Sequence, residues 1–155
     1  MTSYQETLLS NGLNVDTLTV NHVEVIESVI GTLEQDESAM VSHSPEGGYL
    51  WKFNYGTVEV FVQLTGTSDE DTITVWSAVL NLPAKDEPKL MRHLLEMNCS
   101  STLEARFGII DNRVVVISTR ILEELSPAEV SRLITIVATI ADDNDEVLQS
   151  QFGAA

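Results

Sequence analysis

The residue types that most often do chemistry are sparse in this chain and poorly spaced for it. His22, His43 and His93 are its three histidines and lie far apart, and Cys99 stands alone, so no Cys/His set of zinc-ligand spacing can be written. Each histidine reads as a surface or structural residue. Cys99 follows Asn98 where a helix should end, and a helix C-terminus is the wrong end to stabilise a thiolate. The run Asp142-Asp143-Asn144-Asp145-Glu146 has the look of a calcium loop and fails as one. With Asp142 at the first position, Val147 falls where the turn needs glycine and Gly153 where a bidentate glutamate belongs. No Gly-x-Ser-x-Gly elbow, phosphate-binding loop or dinucleotide glycine pattern occurs. With 24 acidic residues, chance pairs of carboxylates are unavoidable and cannot single out an acid and a base. No catalytic residue, cofactor or metal is expected.

Aromatic residues carry the strongest remaining signal. Tyr49, Trp51, Phe53 and Tyr55 alternate, so a strand puts all four on one face and Leu50, Lys52 and Asn54 on the other. That face is either core lying under a helix or a partly open groove whose rings anchor a peptide or apolar ligand. Val58, Val60, Val62 and Leu64 alternate against Glu59, Phe61 and Gln63, while Trp76 and Leu80 oppose Val75 and Val79. Both faces are more apolar than a sheet with one solvated side requires. The second face should therefore be partly covered, by the N-terminal arm or by another subunit; a dimer is the simplest form.

The elements that hold these residues can be read from local punctuation. Asn21 with Glu24 writes a capping box, followed by apolar residues at helical spacing from Val23 to Leu33. Four strands follow, over 39–43, 49–55, 57–64 and 72–82, separated by Pro45-Glu46-Gly47-Gly48, Gly56 and an acidic loop from Gly66 to Asp71. Their connections are too short for helical crossovers, so the strands are antiparallel. Asp86 with Pro88 opens a second helix. Two strands flank Asp111-Asn112, a two-residue turn that sets Phe107 opposite Val116 and Ile109 opposite Val114. Ser126-Pro127-Ala128-Glu129 starts a last helix whose apolar stripe runs to Ala141. The order is α-β-β-β(β)-α-β-β-α, an α+β fold with an antiparallel sheet flanked by helices. The 155 residues suit a single domain, with 1–19 as a loose N-terminal arm.

Charge narrows the partners. Against the 24 acids stand 8 basic residues, a net charge of −16, with no Lys or Arg before Lys52 and none after Arg132. Nucleic acid and anionic membrane surfaces would be repelled, because both are bound chiefly through Lys and Arg. A basic protein or peptide would be attracted. The first residues show no secretory leader, no apolar run approaches the roughly 20 residues of a membrane span, and a lone cysteine suits a reducing compartment. A cytoplasmic protein is expected.

Four segments in order, Leu90–Asn98, Ala105–Ile109, Arg113–Val116 and Leu125–Val130, resemble the YbjN-type family. That family has a leucine-rich helix ending in Asn, a small-residue-plus-Phe strand, a valine-rich strand and a Leu-Ser-Pro-x-Glu helix start. The pattern looks like the branch common in cyanobacteria. The resemblance implies the type III secretion chaperone-like fold: small, acidic, often dimeric α+β proteins that hold a partner's extended segment. It supplies no catalytic residue.

Two functions follow as expectations. The first is a non-enzymatic chaperone-like or regulatory protein-binding module, capturing an extended segment in an apolar groove or at a sheet edge. Its candidate contacts are Tyr49, Trp51, Phe61 and Trp76, with Glu59, Asp69, Glu70 and Asp71 as a rim that favours a basic partner. The second is a small-molecule sensor or uncharacterised enzyme with a pocket between sheet and helix. Arg106 and Arg120 could supply anion contacts there, or equally serve in surface ion pairs.

Overall fold

A computed structural model describes residues 20–154. They form α1 (His22–Leu33), β1 (Met40–His43), β2 (Tyr49–Tyr55), β3 (Val58–Leu64), β4 (Thr72–Asn81), α2 (Glu87–Ser100), β5 (Arg106–Ile110), β6 (Arg113–Ile121) and α3 (Pro127–Phe152). The element order is the one the sequence predicts. The expected N-terminal arm lies outside the described residues.

All three helices start where local chemistry says they should. The Asn21 side chain accepts from Glu24 N at 3.2 Å, Asp86 from Lys89 N at 3.4 Å and Ser126 from Glu129 N at 3.1 Å. Each fills one of the donors that a helix N-terminus leaves without an intrahelical partner. The β5–β6 turn at Asp111-Asn112 has positive φ at both residues (49° and 60°), the conformation that matches the twist of a two-residue hairpin. Asn112 also ties the turn to the chain after β4: Leu82 N donates to its carbonyl at 3.0 Å, and its Nδ2 donates to Leu82 O at 2.9 Å.

The six strands make one sheet in the order β1-β2-β3-β4-β6-β5, antiparallel throughout. Phe107 pairs with Val116 and Ile109 with Val114, as the turn dictates. One expected alternation fails. Trp76 and Leu80 do not share a face, because the β4–β6 register shifts between Ala78 and Leu80. That irregularity turns both Val79 and Leu80 into the core, the effect of one extra residue in a strand of period two.

A single apolar core fills one side of the sheet. It joins Ile26 and Ile30 of α1, Leu90 and Leu94 of α2 and the long stripe Val130–Phe152 of α3 to Trp51, Phe53, Val60, Val62, Val75 and Val116 of the strands. The last helix runs well beyond Ala141, so the Asp142–Glu146 acids lie on helix rather than in a loop. Asp142 and Asp145 instead secure the β2–β3 turn. Asp142 Oδ1 accepts from Thr57 N at 2.9 Å, and the Thr57 hydroxyl lies 2.8 Å from Asp145 Oδ2. Gly56, at φ 55°, sits directly under the Asp142 carboxylate where a Cβ has no room.

Candidate protein-binding faces

The eight residues singled out in the sequence separate into three places. Tyr49 and Trp51 lie on the helix-covered face, stacked with ring centroids 5.3 Å apart, and His43 meets Tyr49 edge-on at 4.6 Å. Trp51 is only 2% exposed and Phe53 is fully buried. The aromatic alternation of β2 therefore lies on the core face, the first of its two readings, with Tyr49 and Tyr55 half-buried at its ends.

Phe61 and Trp76 are on the opposite face. They sit directly across from each other on β3 and β4, and their rings stack at 5.3 Å with an 11° interplanar angle. Stacked pairs of this kind add about 0.5–1.5 kcal/mol beyond their buried area. Leu50 and Ile117 flank them, and all four are half-buried. No helix among the described residues packs on this side, since the residues of all three helices that are buried join the other face. The uncovered face carries Lys52, Glu59, Arg106 and Arg113 around its apolar centre. Lys52 Nζ lies 3.5 Å from Glu59 Oε2. On a molecule of net charge −16, these three cations and one carboxylate make the face locally positive.

Asp69, Glu70 and Asp71 form the third place, the turn from β3 to β4. The Asp71 carboxylate accepts from Thr65 Oγ1 at 2.9 Å and from Ser68 N and Oγ at 3.0 and 2.7 Å. Those hydrogen bonds, the Ser68 hydroxyl first, hold its carboxyl below the usual range. Its backbone is engaged as well: Leu122 N donates to Asp71 O and Glu123 N to Asp69 O, prolonging the β4–β6 ladder. The Asp69 and Glu70 side chains stand exposed at the tip.

Arg106 and Arg120, the two candidates for anion contacts, lie apart from each other. Arg106 is exposed on β5. Arg120 pairs with Glu129 at 3.0 Å, and Arg132 with Glu104 at 2.7 Å. These two ion pairs, with Ser118 and Thr119, line a small cleft between β6 and α3. The Arg132 guanidinium lowers the Glu104 pKa, and the carboxylate raises that of Arg132 in return. Each positive charge in the cleft is thus matched by a glutamate, which leaves no surplus cation for an anionic ligand.

Asn98 is a feature that sequence reasoning treated only as a family mark. From the last turn of α2 its side chain accepts from Phe107 N at 2.7 Å and donates to Phe107 O at 3.3 Å. The carboxamide imitates a neighbouring strand and closes much of the free edge of β5. An Asn at a helix end followed by a strand nine residues on is the signal that could have found it.

Among the described residues no helix is long and apolar enough to cross a membrane, and no group of three His, Cys, Asp or Glu is placed to hold a metal ion. No curated protein matches the chain. Among solved structures, a chain from the crystal structure of the ExsC–ExsE complex is similar with a TM-score of 0.56 and 15% identity, over 81% of this chain and 91% of that one. At that identity the likeness is one of fold, and it agrees with the chaperone-like α+β architecture. The profile of the YbjN family, described as "Putative bacterial sensory transduction regulator", matches residues 22–150. That span takes in every strand and most of every helix, and the chain belongs to the YbjN family.

Proposed function

We propose that this protein is a non-enzymatic, chaperone-like or regulatory protein-binding module of the cytoplasm that works as a homodimer and takes a basic partner. The carrying observation is the sheet face centred on the Phe61–Trp76 stack, which no helix among the described residues covers. An apolar sheet face in water is costly unless something seats on it, at roughly 25 cal/mol per Å² of apolar surface. The occupant proposed for this face is a second copy of the chain. The face carries Glu59 as well as Lys52, so a two-fold axis through the aromatic pair can set Lys52 of one copy against Glu59 of the other. Elsewhere two copies would meet acid to acid.

Size is compatible with this reading. Six strands at about 4.8 Å spacing and seven-residue strands at about 3.3 Å per residue give a flat area of about 550 Å². Relief adds to that, which brings it near the ~800 Å² per partner of a stable interface. Two further observations favour a protein ligand. The similar fold was solved as a complex of two proteins, and the exposed carboxylates of Asp69 and Glu70 suit a basic surface. The branch common in cyanobacteria is part of this reading, and the four C-terminal motifs that carry the family likeness are what support it.

Light scattering on the purified full chain tests the dimer. Wild type should run with the mass of two chains, and Phe61→Glu/Trp76→Glu with the mass of one while keeping its far-UV circular dichroism. A wild type that is monomeric at micromolar concentration removes the second copy from this face.

A further inference from the structure

The sheet has two free edges, and the fold treats them differently. Opposed residues in an antiparallel pair alternate between exchanging hydrogen bonds and pointing their amide groups away. On β5 the outward groups belong to Phe107 and Ile109, and Asn98 takes both of those on Phe107.

On β1 the alternation is set at both ends. Ser44 N donates to Gly48 O at 2.8 Å, and Asn54, in the same register, receives Gln35 N on its carbonyl and gives its own N–H to Ser38 Oγ. Met40 and Ser42 therefore bond to β2, while Val41 and His43 direct their N–H and C=O groups outward. None of these outward groups has a hydrogen-bond partner among the described residues. The next outward N–H, that of Ala39, is already taken by the Glu34 carboxylate at 2.7 Å, which ends the open stretch on that side.

The surroundings of this edge have a definite chemistry. Met40 is 63% exposed and Val41 is 45% exposed, one on each face of the strand. On the uncovered face Met40 continues into a concavity with Leu50 and Phe61. The strand itself carries no carboxylate, Lys or Arg and has His43 as its one titratable side chain, while Glu34, Asp36 and Glu37 lie at one end and Glu46 at the other. The one nearby cation, Lys52, is paired with Glu59.

We infer that β1 is a docking edge for an extended segment of a partner protein, apolar at its centre and carrying Lys or Arg on both flanks. Main-chain hydrogen bonds to Val41 and His43 hold the added strand, and the acidic ends set its composition. A second copy is the wrong occupant here. Two β1 strands paired about a two-fold axis would set the Glu34 end of one against Glu46 of the other, like charge against like. This inference rests on the protein-binding reading above but not on the dimer, which is centred on the Phe61–Trp76 stack and does not use the outward main-chain groups of Val41 and His43.

The test is selection of a phage-displayed library of random linear peptides, about twelve residues long, on the full chain. Enriched peptides should alternate apolar and β-branched residues between basic flanks. A synthetic copy of the strongest should lose about tenfold or more in affinity on Val41→Pro, which removes an outward N–H and leaves the β1–β2 ladder intact. N-methylation of alternate peptide amides should abolish binding in one phase and spare it in the other, a result that needs no variant protein. Trp76→Glu should leave peptide affinity within about twofold while it breaks the dimer, so the two readings fail separately. Peptides that bind Val41→Pro and both N-methylated forms unchanged, or a selection that enriches no basic-flanked strand, would overturn the assignment.

Discussion

Asp71 shows how one residue can be legible in type and hidden in role. An acidic loop between strands reads naturally as a charged rim, yet three hydrogen bonds from Thr65 and Ser68 occupy this carboxylate within its own turn. Its carboxyl titrates below the usual range in the folded protein. The unfolded chain therefore binds the proton more readily, so the stabilisation is present above a pH of about 4 and fades as pH falls through the lower folded-state value. Asp71→Asn should unfold at lower urea concentration than wild type at neutral pH, and the gap should close on acidification below about pH 4. A gap that persists unchanged into acid would assign the loss to the shape of the turn and not to the charge.

At the scale of elements, the helix caps and hairpin turns were readable because each depends on residues within a few positions of one another. Asn21, Ser126 and Asp111-Asn112 are cases where the hydrogen-bond partner or the required φ is local. The β4 irregularity was not readable, because an extra residue in one strand is defined only against the strand beside it. The Asn98–Phe107 link is intermediate, nearby in sequence yet specified by how α2 lies on β5. Asn98→Ala should lower unfolding free energy by about 2 kcal/mol, since it strands a part-buried N–H and C=O. Urea denaturation followed by circular dichroism measures it; a loss under about 0.5 kcal/mol would show that water replaces the carboxamide at that edge.

The whole molecule is dominated by its charge. A net −16 on 155 residues works against the compact state through self-repulsion, and salt relieves it. Raising sodium chloride from about 10 mM to about 1 M shortens the screening length from about 30 Å to about 3 Å. The urea midpoint should rise across that range, because the three further ion pairs Arg92–Glu96, Arg120–Glu129 and Arg132–Glu104 all have side chains at least 42% exposed and lose little. A falling midpoint would mean that attractive pairs outweigh repulsion. The same charge shapes recognition, for it leaves the Phe61–Trp76 face as the region where like molecules meet without opposing acids, and the β1 edge as a strip between acidic ends.

The amino-acid sequence alone determined the kinds of element, their order, the pairing of Phe107 with Val116 and the antiparallel sense of the sheet. These follow from capping, turn geometry and apolar period, all of which act over short stretches of chain. It also left the β2 aromatics with two readings and both sheet faces apolar. Only the tertiary structure decided between them, by placing the three helices of the described residues over Trp51 and Phe53 and none of them over Phe61 and Trp76. It likewise decided that β1 and β5 are the edges and that Asn98 closes one of them. Period two says that alternate residues part company; which side a helix then covers depends on contacts between segments far apart in the chain.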